Sequence, residues 1–251
     1  MQETAIRIGS YNVRKARGLD QRRNPERTLA VINTLEADLV VLQEADKRLG
    51  RRPTAIPRDL IEAETDFAPV EVAANDASIG WHGNAVLVRK GLPVDVLDRL
   101  NLPGLEPRGA VRIRVKGLDV VATHLGLRRK DRRAQLQVIR TALSDDAPCI
   151  IAGDFNEWSA TRGFEPLADR FQVHSPGRSF HARRPIAGLD RFALSRGLKL
   201  QDAGVKEGPL ARVASDHLPI WSDIRLPTEL PAEKNRHPLV PALPAAVPRG
   251  G

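Results

Sequence analysis

The residues of this 251-residue chain with the most chemical content are polar ones at the ends of apolar segments. Asn12 follows the alternating stretch from Ile6 to Tyr11, and Glu44 follows Leu39-Val40-Val41-Leu42-Gln43. Asp154 and Asn156 follow Cys149-Ile150-Ile151-Ala152-Gly153, His124 ends the apolar stretch near 120–123, and Asp216-His217 stand at the start of another. The ends of strands in layered folds are where sites are assembled, because the scaffold fixes them while loops leave them accessible. Carboxylates and amides gathered there suit a hard cation such as magnesium, which takes oxygen ligands in an octahedron and keeps several waters. A histidine with a carboxylate partner beside such an ion is a working kit for hydrolysing a phosphodiester. Each residue also has a purely structural reading. Asp154-Phe155-Asn156 fits an Asx-turn, Glu44 a surface charge, Ser215-Asp216-His217 an N-cap or turn, and His124 a hydrogen-bonded structural histidine. Their occurrence together, in one order at successive strand ends, favours chemistry.

The elements that must position these residues are legible as patterns. Ile6, Ile8 and Ser10 alternate with Arg7, Gly9 and Tyr11, which predicts a strand. Asn24 as N-cap and Pro25 at the first helical position open a helix whose Leu29, Ile32 and Leu35 form a buried stripe. Residues 39–42 read as a strand buried on both faces, 149–152 as a further buried strand and 85–88 as another strand. Residues 111–115 and 118–123 read as a hairpin turning at Lys116-Gly117. A helix is expected over roughly 131–143, and strands over 189–194 and 217–224. Runs of strands with helices between only some of them favour two packed sheets flanked by helices. From Pro227 onward, six prolines interrupt any ladder or helix, so 227–251 reads as a largely disordered tail, or a docking segment, behind a domain spanning 1–226.

Composition narrows the setting. Hydrophobic residues at 41% and charged residues at 28% fit a globular protein, and no apolar run approaches the ~20 residues of a membrane span. The N-terminus lacks a basic region followed by an apolar core, so a cytoplasmic placement is expected. The single cysteine, Cys149, rules out an internal disulfide and a cysteine-based zinc cluster, and its neighbours make it a small buried apolar residue. A net charge of +8 makes nucleic acid, anionic lipid headgroups and phosphorylated small molecules the natural partners, beside the alternative of a basic surface with no partner.

The ordered set resembles the endonuclease/exonuclease/phosphatase superfamily over essentially all of residues 5–226. The resemblance is carried by Gly9-Ser10-Tyr11-Asn12-Val13, Leu42-Gln43-Glu44, Gly83-Asn84-Ala85-Val86-Leu87 and Thr123-His124-Leu125-Gly126. It continues through Ile151-Ala152-Gly153-Asp154-Phe155-Asn156, Leu189-Asp190-Arg191 and Ser215-Asp216-His217. It implies a four-layer α/β sandwich, two mostly antiparallel mixed sheets packed face to face with helices outside. It also implies Mg²⁺ or Mn²⁺ held by Glu44, with Asn12 and Asp216 in the same shell. His217 would sit against the scissile phosphate and be held by Asp190, while Asp154 positions or deprotonates the attacking water. Asn156 would hydrogen-bond a phosphate oxygen, and His124 would be a candidate general acid for the leaving group.

Within the superfamily, Arg14 stands where abasic-site repair enzymes typically carry an aspartate, and His124 where they carry a tyrosine. Both features resemble the branch of pancreatic-type DNases and neutral sphingomyelinases. Pro185-Ile186-Ala187-Gly188, ahead of Leu189, lacks the Trp-Cys signature of inositol polyphosphate 5-phosphatases. The basic block from Arg128 to Arg133 begins a helix, where positive charge opposes the macrodipole, so either it holds an anionic substrate through Arg128 and Arg129 or it is a solvated helix end. Arg14 and its basic neighbours form a second loop able to flank the same cleft. The expected activity is hydrolysis of phosphodiesters by a monomer, with nucleic acid as the first substrate. The alternative is a phospholipid headgroup or other small phosphoester, met through peripheral contact with an anionic membrane surface.

Overall fold

The computed structural model describes residues 5–227. Four strands open the chain: β1 (Ala5–Asn12), β2 (Leu39–Gln43), β3 (Phe67–Pro69) and β4 (Ala85–Arg89). Six follow: β5 (Asp95–Leu102), β6 (Arg108–Val115), β7 (Leu118–His124), β8 (Cys149–Asp154), β9 (Phe171–His174) and β10 (Asp190–Ser195). These six form one sheet in the order β5-β6-β7-β8-β10-β9. The last two strands, β11 (Lys199–Val205) and β12 (Ile220–Arg225), return to the first sheet, which reads β11-β12-β1-β2-β4-β3.

Both sheets are mixed in the same way. One central pair is parallel, β1 with β2 and β7 with β8, and every other pairing is antiparallel. A parallel pair needs a crossover, supplied by helix α1 (Pro25–Asn33) in the first sheet and by the longer of the later helices, Arg129–Thr141, in the second. The short helix α2 (Arg58–Glu64) lies between β2 and β3, so the crossover helix of the second sheet is α3. Alternating side chains of the central strands then serve two cores. Ile8, Val41, Val86, Val120, Ile150 and Phe192 pack between the sheets. Val40 and Leu42 face Leu29 and Ile32 of α1, and Val121 and Ile151 face Leu136 and Ile139 of α3. The result is the expected helix–sheet–sheet–helix sandwich.

Local signals act as expected. The Asn24 side chain accepts the Arg27 N–H at 2.8 Å with Pro25 behind it. Val115 pairs with Leu118 across Lys116 and Gly117, both at positive φ, the two-residue turn that matches strand twist. α3 begins two residues earlier than expected, and β12 begins three residues later, beyond Pro219. The strands without a signal in the apolar pattern are β3, β5, β9 and β11, which are the four sheet edges. β5 and β11 carry charged residues and a register shift each, both devices that blunt an edge. The proline-rich stretch from 228 lies outside the described residues, and among them no helix is long and apolar enough to cross a membrane.

Candidate active site

The two parallel pairs direct their carboxyl ends to the same side of the sandwich. Asn12 at the end of β1 donates from Nδ2 to Asp154 Oδ2 at the end of β8, 3.0 Å away, so a hydrogen bond crosses from one sheet to the other. The antiparallel neighbours start where these strands stop. Asp190 begins β10 opposite Asp154, and Ser215-Asp216-His217 lead into β12 beside β1, where Ser215 Oγ donates to the Asn12 carbonyl at 2.7 Å. Every predicted catalytic side chain therefore leaves a parallel strand or precedes an antiparallel one at this end.

Gly153 shows how closely the strands approach there. Its φ is +148°, and a Cβ on it would stand 1.8 Å from the Thr123 carbonyl oxygen, so only glycine lets β7 and β8 bring His124 and Asp154 together. Glu44, at φ +55°, and Asn156, at φ +51°, occupy the left-handed region just past their strands. Asparagine tolerates that region; for glutamate it is a local strain at the site.

Asp154 is the centre of the cluster. Its Oδ2 lies 3.4 Å from His124 Nε2 and 3.6 Å from His217 Nε2, and its Oδ1 accepts the Asn156 N–H at 2.9 Å. Burial pushes its carboxyl up to about 6 against the opposing charge of His217. His217 Nδ1 lies 2.8 Å from Asp190 Oδ2, which also accepts the Ser179 hydroxyl at 2.5 Å. Burial disfavours the imidazolium, yet Asp190 and then Asp154 outweigh it and lift His217 to about 10. The other histidine goes the opposite way: burial first, then the charges of Arg108 and His217, hold His124 well below its ordinary value and therefore neutral. Its carboxylate neighbour, which no motif indicated, is Asp154.

Glu44 and Asp216 flank Asn12. The Glu44 carboxylate is bonded to Lys15 Nζ and lies 3.4 Å from Arg48; burial opposes its charge, but these cations and Arg108 hold its pKa below the ordinary value. Asp216 Oδ2 lies 3.4 Å from Arg14 Nε, and Asn12 Oδ1 accepts the Arg14 N–H at 3.1 Å. These are hard oxygen donors of the kind a divalent ion takes, and an ion there would take over the charge balance that Lys15 and Arg14 give the two carboxylates. Ligand atoms of Asp154, Asp190 and His217 also lie within 4.8 Å of one another. There the Asp190–His217 hydrogen bond occupies the imidazole Nδ1.

Arg14 and the helical block stand differently from the cluster. Arg14 turns its guanidinium to Asp216 and to the Gly18 carbonyl. Arg129 and Arg133 lie against Glu165, and Arg132 is buried against Glu157. Arg128 caps the helix by backbone alone and has no carboxylate partner among the described residues. Asn156 Nδ2 donates to the Leu125 carbonyl at 2.9 Å, leaving one N–H free. Sequence reasoning missed Ser179, the hairpin partner that fixes Asp190, and Phe180, whose ring lies 5.0 Å from that of His217. It also missed Arg48 and Arg108, which have no local pattern and reach the site only through the fold.

Comparison with known proteins agrees with this architecture. The chain is 29% identical over 257 residues to the uncharacterized protein YbhP of Escherichia coli strain K12, covering 90% of this chain and 98% of that one. Its fold is similar to an endonuclease/exonuclease/phosphatase from Beutenbergia cavernae, with a TM-score of 0.66, 21% identity, and 88% and 72% of the two chains covered. It is also similar to D. rerio TDP2 complexed with a single-strand DNA product, at a TM-score of 0.63, 18% identity, and 89% and 100% coverage. The family model that matches spans residues 9–217, from the β1 strand to His217, and the chain belongs to the Endonuclease/Exonuclease/phosphatase family.

Proposed function

We propose that this protein is a divalent-metal-dependent phosphodiesterase whose acid–base residues are Asp154 and the His217–Asp190 pair. The observation that carries the reading is the arrangement of one buried aspartate between two histidines, with the second histidine bonded at 2.8 Å to a second buried aspartate. A bound Mg²⁺ or Mn²⁺ would be held by Glu44, Asn12 and Asp216 and would supply charge neutralisation at the phosphate. Asp154, whose carboxyl burial pushes up to about 6, is suited to orient a water and take its proton. Cationic His217 presents Nε2 toward the same space, where it can contact a phosphate oxygen and give a proton to the leaving oxygen. Asp190 fixes which nitrogen points inward and favours the charged ring. The free N–H of Asn156 is suited to a non-bridging oxygen. Neutral His124 can orient Asp154 but holds no proton on an imidazolium to give away, which moves the general-acid role to His217.

Two substrate classes share this chemistry. A nuclease is supported by the fold likeness to TDP2, crystallised with a DNA product. A phospholipid headgroup diester is supported by the mouth of the site, where much of the basic block is consumed by Glu157 and Glu165 while apolar side chains stand exposed. The test is turnover of bis-p-nitrophenyl phosphate, plasmid DNA, RNA and phospholipid vesicles by the purified chain with Mg²⁺, with Mn²⁺ and with EDTA. Metal-dependent hydrolysis of at least one diester is expected. Turnover that survives EDTA, or none on any diester with either ion, would refute the reading.

A further inference from the structure

Single apolar side chains on a protein surface are ordinary, but contiguous ones mark a contact. Four of the large exposed hydrophobics stand on the loops between β5 and β6, after β7, after β8 and before β10, at the end of the second sheet that carries the cluster: Leu105 at 73% exposure, Leu127 at 66%, Trp158 at 63% and Ile186 at 56%. They are linked through the structure. The Leu105 N–H donates to Asp131 in the first turn of α3, whose Arg132 holds both the Leu127 carbonyl and the Glu157 carboxylate. Trp158 follows Glu157 and meets Phe180 edge-on, with ring centroids 6.0 Å apart. Phe180 in turn accepts the Ile186 N–H and lies against His217.

Trp158 is held in this position rather than left loose. Buried Arg191 donates to the carbonyls of Glu157 and Ser159, each at 3.0 Å, and so clamps the loop on both sides of the tryptophan. A buried arginine that fixes a loop while its tryptophan stays in water indicates a tryptophan with something to meet outside. The rim also carries free charge. Arg128, Lys130, Arg183 and Arg184 have no carboxylate partner among the described residues, in contrast to Arg129 and Arg133 on Glu165.

We propose that Leu105, Leu127, Trp158 and Ile186, with the unpaired cations among them, dock the mouth of the site onto an anionic phospholipid bilayer, so that the diester substrate is a headgroup linkage of a membrane lipid. It rests on the phosphodiesterase reading for its substrate but not for its docking. Aliphatic tips offer no hydrogen bond to bases or phosphates, whereas Trp with Leu and Ile beside Arg and Lys is the composition of a surface that sits at the boundary of headgroups and acyl chains. Each aliphatic tip withdrawn from water is worth roughly tenfold in partition, and each cation near an anionic surface roughly fivefold.

The test uses the full chain with vesicles of phosphatidylglycerol and phosphatidylcholine, and with phosphatidylcholine alone, read by co-sedimentation and by tryptophan fluorescence. The parent should bind the anionic vesicles with a blue shift that Trp158→Phe lacks. The double variant Leu127→Ser/Ile186→Ser should bind them about a hundredfold more weakly, and Arg183→Gln/Arg184→Gln should lose binding that depends on phosphatidylglycerol. All variants should keep the parent's turnover of bis-p-nitrophenyl phosphate, which is too small to need the rim. No vesicle binding by the parent, or unchanged binding by Leu127→Ser/Ile186→Ser, would overturn the proposal. So would a loss by that variant of affinity for a single-stranded oligonucleotide equal to its loss on vesicles, which would assign the rim to nucleic acid. Vesicle binding without hydrolysis of any diester would sustain the docking surface and remove the phosphodiesterase reading instead.

Discussion

Replacing Asp190 by asparagine exchanges one oxygen for nitrogen and removes one charge, and the consequence should appear at His217. Burial alone would drive this imidazole below its ordinary 6.5, and two carboxylates lift it to about 10. That rise corresponds to on the order of 5 kcal/mol of added proton affinity. Asp190 is the nearer contributor, 2.8 Å from Nδ1, while Asp154 is 3.6 Å from Nε2. With Asp190 neutral, burial is left to compete with Asp154 and Asp216, and His217 should titrate well below its parent value. The fold should survive, for two reasons. Asp190 Oδ1 is buried without a hydrogen-bond partner among the described residues, so its charge is itself costly to bury. The imidazole also escapes an uncompensated charge by releasing its proton. Turnover should fall by roughly two to three decades, since the acid is lost while the ring stays in place. The assay is an NMR titration of the His217 Cε1 proton, assigned with His217→Ala, alongside hydrolysis of bis-p-nitrophenyl phosphate. His217→Ala and the double variant should lose about equally, because Asp190 acts through His217. A His217 that still titrates near 10, or independent and additive losses, would refute the argument.

Three further outcomes follow from the geometry. Glu44→Gln should raise the Mg²⁺ concentration needed for activity by at least about tenfold with little change in melting temperature, since Lys15 and Arg48 are left partly in water; a metal titration with parallel thermal melts checks this, and unchanged Mg²⁺ dependence would remove Glu44 from the ion. Gly153→Ala should destabilise the fold by more than about 3 kcal/mol, because the new Cβ meets the Thr123 carbonyl at 1.8 Å in a backbone conformation closed to alanine; a thermal midpoint close to the parent's would contradict the close approach of β7 and β8. His124→Ala should slow alkyl and nitrophenyl diesters by the same factor, because a neutral imidazole orients Asp154 without protonating the leaving group; a larger loss on alkyl diesters would return His124 to the general-acid role.

The central strands were legible in the sequence because they are buried on both faces, and burial on both faces writes a continuous apolar run that needs no context. The four edge strands were not. β5 reads Asp-Val-Leu-Asp-Arg-Leu-Asn-Leu and β11 Lys-Leu-Gln-Asp-Ala-Gly-Val, and each pairs on one side only. The same charges that keep an edge from recruiting another chain erase the alternation by which a strand is recognised. Their existence is fixed by the hydrogen-bonding groups of β4, β6, β10 and β12, which is a property of the assembled sheet.

The site divides along a similar line. Residues at the exits of β1, β2, β7 and β8, and at the approaches to β10 and β12, could be named from the sequence because strand ends are local features. Which charges neutralise which could not be. The block from Arg128 to Arg133 is uniform as a sequence, yet the fold buries Arg132 on Glu157, sets Arg129 and Arg133 on Glu165, and leaves Arg128 and Lys130 toward solvent. Glu157 lies three residues beyond Asp154, so the residue that removes Arg132 from the surface belongs to the loop that leaves β8. Holding that loop in turn fixes Trp158 at the mouth, beside Phe180 and His217. A cation that looked available for substrate is thus spent on fixing the loop that carries Trp158.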